Sequence, residues 1–394
     1  MNRRIYISLV ASLLFSVSLV AQDAIYTLAS YNPLGTNPAF AHPSNGQLYF
    51  ASNSRQQWWG LPGVNGLAAG YNMNQASIMA PFIAKDDIGL GGGLQLSQTA
   101  SGAGKLKLSE ATFTAASRVG GVIRRRRNNM SYDLGVGVGV GFKQFSLDWD
   151  QLTFSSQLDP FFGLVNQVSL VNPNPDASNF APIVNTGIKA SFTHNSPFGV
   201  LAWKIGGSAY QWNKPSLSFF DENALLQRRY VGHISLTELP GVKGGVLGNL
   251  HATYFILSHR FYYQYPQFTQ ETRLSTNLAG ILNISTGVRR RRFLESFENY
   301  DAVLVAVEVI TPFVMIGAGY DFTISELNSS RTGGTTEISL RIPLGRAGRA
   351  IGGQRAEPCH VDYILSNSEW KAVGKFNNKS TYWGSEYSPI TFQF

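Results

Sequence analysis

The feature that most constrains this chain is a period of two. From Thr336 to Leu344, residues Ile338, Leu340, Ile342 and Leu344 fall on one side, while Glu337, Ser339 and Arg341 fall on the other. Successive strand side chains point to opposite faces, so such a stretch has one apolar and one polar face. Stretches of this kind are predicted at Leu48–Asn53, Gly66–Met79, Ile88–Thr99, Leu106–Val119, Tyr132–Ser146, Val184–His194, Gly199–Trp212 and Tyr230–Leu236. They continue at Tyr254–Tyr263, Leu274–Leu282, Ile284–Arg291, Ala302–Val309, Phe313–Thr323 and Thr336–Leu344. About fourteen antiparallel strands with an oily and a polar face predict an all-β fold, a transmembrane barrel with lipid outside and water inside.

Composition agrees with a membrane wall. Charged residues make up 14% of the 394-residue chain, against about 25% in soluble domains. Asn2-Arg3-Arg4, the apolar Ile5–Val20 and Ala21 read as a signal peptide over residues 1–21, with cleavage before Gln22. No other run of about 18 apolar residues occurs, so no transmembrane helix is expected. A chain that enters the bilayer without helices must do so as a closed sheet, because an open edge leaves backbone groups unpaired in hydrocarbon.

The formal charge is +8, and Arg124–Arg127 and Arg289–Arg292 are each four consecutive arginines. No nucleic-acid-binding module surrounds either run, and an exported chain rarely meets DNA, so nucleic acid is not an expected partner. The runs read as solvated loops or strand ends, or as contacts to anionic head groups or an acidic partner. The single cysteine, Cys359, excludes an intrachain disulfide and a cysteine-based metal site.

Residues 22–44, rich in Asn, Pro and Gly, read as an extended periplasmic leader, and 45–344 as the barrel. With the chain starting inside, the long connections Ser54–Asn65, Leu147–Phe180, Asn213–Gln227 and Ser325–Gly334 all fall outside. The turns after Met79, His194 and Val309 fall inside. Outer-membrane barrels show the same asymmetry. By that parity residues 345–394 form a periplasmic extension. Its ending, Ile390-Thr391-Phe392-Gln393-Phe394, also alternates, but Thr336–Leu344 is the preferred closing strand. Gly135, Gly137, Gly139 and Gly141 are spaced by two, so they share one strand face. A crowded lumen or a sharply bent wall suits them better than a nucleotide loop.

Three stretches carry a resemblance. Tyr31-Asn32-Pro33-Leu34 is followed by Asn37-Pro38-Ala39-Phe40. Arg55-Gln56-Gln57-Trp58-Trp59-Gly60 comes next. Gly319-Tyr320-Asp321-Phe322-Thr323, Gly333-Gly334 and Glu337-Ile338-Ser339-Leu340 form the third. In this order, behind a signal peptide, the chain resembles the PorP/SprF family of the type IX secretion system. The tetra-arginine runs and the tail after Leu344 depart from the family pattern. The resemblance implies an outer-membrane component that supports export or surface attachment of cargo, such as gliding-motility adhesins. The implied partners are outer-membrane lipid, a cargo C-terminal domain and periplasmic components of the secretion machine.

The motifs also have readings of their own. Asn-Pro pairs cannot continue a helix and suit a leader that crosses or plugs the barrel base. Trp58 and Trp59 are either membrane-interface aromatics or hot spots for a protein partner. Asp321 and Glu337 suit a lumenal role, paired with arginines. Asn32, Pro33, Asn37, Pro38, Arg55, Trp58, Trp59, Tyr320 and Asp321 are therefore the candidate contacts to a partner or the membrane edge.

Catalysis finds no support. His42, His194, His233, His251, His259 and His360 make no metal-binding spacing, and His251 and His259 on one strand would stand about 27 Å apart. No GxSxG or strong carboxylate pair occurs, so neither a cofactor nor a metal is expected. Two other readings stay open. A passive porin or apolar-solute channel requires an open lumen. A soluble β-sandwich adhesin requires polar outward faces, contrary to Ile338, Leu340 and Ile342.

Overall fold

The computed structural model describes residues 25–43, 47–60, 70–84, 88–102, 106–124, 129–149, 152, 157–159, 163–164, 179–196, 199–219, 224–240, 254–278, 281–293, 299–311, 313–325 and 329–346. Fourteen antiparallel strands close into one barrel. In chain order they are β1 (Gln47–Gln57), β2 (Tyr71–Ala84), β3 (Ile88–Ser101), β4 (Leu106–Arg124), β5 (Asn129–Ser146), β6 (Phe180–Ser196) and β7 (Gly199–Tyr210). Then come β8 (Arg229–Pro240), β9 (Tyr254–Gln264), β10 (Gln267–Leu278), β11 (Leu282–Phe293), β12 (Asn299–Ile310), β13 (Met315–Thr323) and β14 (Thr335–Arg346). Each strand pairs with its neighbours in sequence, and β14 returns to β1 with Ser54 opposite Ile338 and Arg55 opposite Glu337. Closure removes the edges that hydrocarbon does not tolerate. The closing strand is therefore Thr335–Arg346, as preferred. A short hairpin, Leu158–Asp159 with Gly163–Leu164, stands in the β5–β6 connection. No helix among the described residues is long and apolar enough to cross a membrane.

The predicted alternation sorts residues in the reverse of a soluble protein. On β5, Val136, Val138 and Val140 are more than half exposed, while Ser131, Asp133 and Lys143 are buried. Buried polar side chains beside a largely apolar exterior are the informative reversal. The exterior meets lipid, and the polar faces meet one another in the lumen. Outward aromatics gather at two levels. Phe142, Phe180, Tyr320 and Phe322 lie toward the end that carries connections 58–70, 147–179, 211–228 and 324–334. Phe82, Tyr132, Phe192 and Trp203 lie toward the opposite, tight-turn end, whose connections are short apart from 241–253. Tyr132 and Phe142 are ten residues apart on β5. At about 3.3 Å per residue and a tilt of about 40° this spans about 25 Å, the height of an outer-membrane apolar band.

Strand positions differ from expectation chiefly at β10 and β11. The predicted Leu274–Leu282 and Ile284–Arg291 are Gln267–Leu278 and Leu282–Phe293. Gln267–Arg273 carries Gln270 and Thr272 on its outer face and Glu271 and Arg273 on its inner face, so no apolar stripe marks it. Its turn is also tight, with Gln264 pairing directly with Gln267. Most other strands extend past their apolar stripes, because a rim in water selects no alternation.

The leader is not extended. Ala29–Tyr31, Pro33–Thr36 and Pro38–Ala41 are short helical turns. They lie inside the barrel, with Leu28, Tyr31, Leu34 and Ala41 packed against Tyr49, Met79, Ala116, Ala306 and Met315. The predicted signal peptide (1–21), Arg125–Arg127, Cys359 and the tail beyond Arg346 lie outside the described residues.

Candidate functional site

The lumen is organised around one residue of the leader. Thr27 is fully buried, and each of its polar groups meets a charged side chain from a different strand. Its N–H donates to Glu337 Oε2 at 2.7 Å, and the next N–H, of Leu28, donates to Glu337 Oε1 at 2.9 Å. Its hydroxyl donates to Asp321 at 2.8 Å and accepts from Arg55 and Arg289, each at 2.9 Å. Its carbonyl accepts from Arg260 and Arg273. The side chains then neutralise one another. Arg55 spans Asp321 at 2.7 Å and Glu337 at 3.2 Å. Arg289 spans Asp321 at 2.8 Å and Glu271 at 3.1 Å. Glu271 also pairs with Arg260 and Arg273. Ionised groups tolerate such burial only when paired and hydrogen-bonded on all sides. With the leader in place each carboxylate and guanidinium of the cluster is paired, although Arg55 Nε and Arg289 Nε are left without a partner.

The two Asn-Pro pairs shape the leader below this cluster. Each asparagine caps the turn that its proline opens: Asn32 Oδ1 accepts from the Gly35 N–H and Asn37 Oδ1 from the Ala39 N–H, both at 2.9 Å. Proline suits the first helical position, where its missing N–H would be unpaired anyway. Asn37 Nδ2 then donates to the Ile188 carbonyl at 2.8 Å. The turn rests on glycine. A Cβ at Gly137 would stand 2.4 Å from the Pro38 backbone, and one at Gly187 would stand 2.1 Å from Asn37 Oδ1. The stripe thus faces a crowded lumen, as one of its two readings held. The leader leaves past His42, whose Nε2 lies 3.1 Å from the Ile83 carbonyl. Burial, with Lys189 and Arg118 nearby, lowers its imidazole pKa to about 4. A cavity of about 130 Å³ remains beside the leader, lined by Phe40, Arg260, Arg273, Asn283 and Glu308.

The candidate residues divide sharply. Asn32, Pro33, Asn37, Pro38, Arg55 and Asp321 are buried inside the barrel. They line the lumen rather than the outer wall, and Asn37, Arg55 and Asp321 bond between the leader and the barrel. The pairing of Asp321 and Glu337 with arginine stands as read. Trp58, Trp59 and Tyr320 lie at the long-connection end. Trp58 has a left-handed backbone (φ 57°), and its N–H donates to the Gly334 carbonyl at 2.8 Å. Its ring packs edge-on to Tyr71. Trp59 is half exposed, and the Tyr320 hydroxyl donates to the Gly333 carbonyl at 2.9 Å. The β1 end is thereby tied to the β13–β14 connection.

Sequence reasoning missed Thr27, Arg260, Glu271 and Arg273 altogether. It read Arg289 as part of a run at a solvated loop or strand end, or one that contacts anionic head groups or an acidic partner, whereas alternate residues of that run turn opposite ways, Arg289 inward and Arg290 outward. The available signal was a charged residue at an inward position of a barrel strand, where water alone seldom repays its desolvation.

A comparison with curated proteins finds no match. Among solved structures the chain is similar to CdiB from Acinetobacter baumannii, at 8% identity and a TM-score of 0.37, over 75% of this chain and 60% of that one. It thus spans about three-fifths of the length of that structure. It is also similar to a Pseudomonas aeruginosa FadL homologue, at 11% identity and a TM-score of 0.32, over 78% of this chain and 94% of that one. The Pseudomonas putida toluene transporter TodX matches at 12% identity and a TM-score of 0.32, over 82% and 93%. None of these likenesses carries the assignment. It rests on the closed barrel and on the family model for the type IX secretion system membrane protein PorP/SprF, which matches residues 18–342. This outer-membrane barrel belongs to the PorP/SprF family of type IX secretion system membrane proteins.

Proposed function

We propose that this chain is a non-enzymatic docking component of the type IX secretion system. Its long-connection end faces outward and holds a cargo C-terminal domain, supporting export and surface attachment of cargo such as gliding-motility adhesins. Its tight-turn end, together with residues 345–394, faces the periplasm and meets components of the secretion machine. The observation that carries this reading is the occupied lumen. Thr27 is tied by its N–H, hydroxyl and carbonyl to side chains on β1, β9, β10, β11, β13 and β14, an arrangement suited to a platform rather than to passive flow. Trp58, Trp59 and Tyr320, placed at the end that carries the long connections, are the candidate partner contacts. Large aromatic anchors there match the composition of binding hot spots.

Affinity capture from outer membranes tests the reading. Recovery of a cargo protein or a secretion component is expected, and loss of the cargo after Trp59→Ala is expected with it. Capture of neither overturns it. The competing channel reading predicts steady openings of the native chain in a planar bilayer, whereas the docking reading predicts a closed trace.

A further inference from the structure

The leader touches both mouths of the barrel, and it begins at the mouth opposite to the one where β1 begins. Ile25 packs against Tyr210, Val231 and Tyr262. Tyr210 ends β7 and Val231 lies near the start of β8, on either side of connection 211–228. Tyr262 lies near the end of β9, beside the tight turn into β10 at the same mouth. Thr27 follows, among Arg55, Asp321 and Glu337, each two residues from the long-connection end of its strand. The other end of the leader lies across the wall. His42 Nε2 stands 3.1 Å from the Ile83 carbonyl, one residue before β2 ends at the tight-turn mouth. Gly89, at the start of β3, lies against the same ring, which a Cβ there would approach to 2.4 Å. Exposure runs the same way at the first mouth: Ile25 is partly exposed, whereas Tyr26, Thr27, Leu28 and Ala29 are buried.

We propose that the mature amino terminus is displayed at the long-connection mouth, so that the leader is a tether running the length of its own lumen. The chain ahead of Ile25 is too short to return. With cleavage before Gln22, residues 22–24 reach at most about 11 Å, less than half of a wall about 25 Å high. The leader's bonds also allow a terminus exported to the periplasm to reach the far mouth. Asn53 and Arg55 on β1 and Glu337 on β14 all bond to Thr27 or Leu28. Those two strands meet only when the cylinder shuts. The leader can therefore be laid across the open sheet and enclosed by closure, without threading a finished pore. The amino end thus joins Trp58, Trp59 and Tyr320 at the mouth assigned to the cargo. Its exposure to the medium outside the cell rests on the outward orientation proposed above, whereas the shared mouth rests on the leader's contacts alone.

Thiol labelling of the full chain in native cells tests it. Cys359→Ser removes the single native cysteine. Single thiols are then placed by Asp23→Cys, by Ser330→Cys in the β13–β14 connection and by Phe313→Cys in the β12–β13 turn, the last two at exposed positions. The probe is a maleimide on a polymer too large to cross the outer membrane. In intact cells Asp23→Cys and Ser330→Cys are expected to shift on a gel by the mass of one polymer, and Phe313→Cys to shift only after the membrane is opened. Mass spectrometry of the native chain is expected to find Gln22 at its start. Labelling of Ser330→Cys without Asp23→Cys overturns the proposal and leaves the orientation standing. Labelling of Phe313→Cys in place of Ser330→Cys overturns the orientation, and the shared mouth is then supported if Asp23→Cys still follows Ser330→Cys. The proposal is also overturned if Asp23→Cys follows Phe313→Cys, if it stays unlabelled until the barrel unfolds, or if the mature chain retains residues 1–21.

Discussion

Thr27 has one hydroxyl proton and two oxygen lone pairs, and Asp321, Arg55 and Arg289 use them all. Thr27→Val keeps the shape and strands those three charged partners, so it should cost about 1–3 kcal/mol. Thr27→Ser restores the hydroxyl and should lie close to the native chain. Denaturant titration in detergent micelles, read by heat-modifiable mobility, checks the pair. Asp321→Ala is more severe, because it leaves Arg55 and Arg289 short of a shared carboxylate. Truncating one partner of a buried pair costs about 3–5 kcal/mol. His42 adds a pH response. Its pKa is held near 4 by burial and by Lys189 and Arg118, with Asp133 opposing. Because folding depresses the value, the neutral ring stabilises the fold fully above about pH 6.5, and that stability is lost as the pH falls toward 4. Thermal unfolding of the native chain should therefore drop more steeply over this window than that of His42→Gln, which cannot titrate.

At the scale of elements, the leader and the glycine stripe depend on each other. Gly137→Val would drive two branches into the Pro38 backbone, already only 2.4 Å from a Cβ. The leader turn has to lift from β5. Removal of residues 25–42 goes further and leaves Glu337, Asp321, Arg55 and Arg289 facing water. Both changes are expected to convert a closed bilayer trace into one with steady openings, larger for the deletion. A closed trace for the deletion would mean that the remaining lumenal side chains seal the barrel alone. Legibility also varied between elements. β5 and β14 were readable because lipid outside and polar neighbours inside enforce strict alternation. The N-terminal half of β10 was not, because Gln270 and Thr272 interrupt its outer apolar face. The leader was misread because Asn-Pro pairs favour both extended chain and tight turns, and nothing local chooses between them.

For the whole molecule, fourteen strands and the end at which most of the long connections fall followed from alternation and turn spacing. Those are local properties, set by the pleat of each strand and by lipid contact along its whole length, so they can be read one residue after another. The three family motifs were legible in the same way, as short runs. Their meaning was not. Arg55 lies 266 residues from Asp321 and 282 from Glu337 along the chain, and only closure of β14 onto β1 sets Arg55 opposite Glu337. The cluster also needs Thr27 delivered from outside the sheet, and no period in the chain records that path. The sequence by itself determined which residues face lipid and that the sheet must close. The tertiary structure alone decided that the leader fills the lumen, because isolated charges cannot remain buried and their partners come together only when the cylinder is shut.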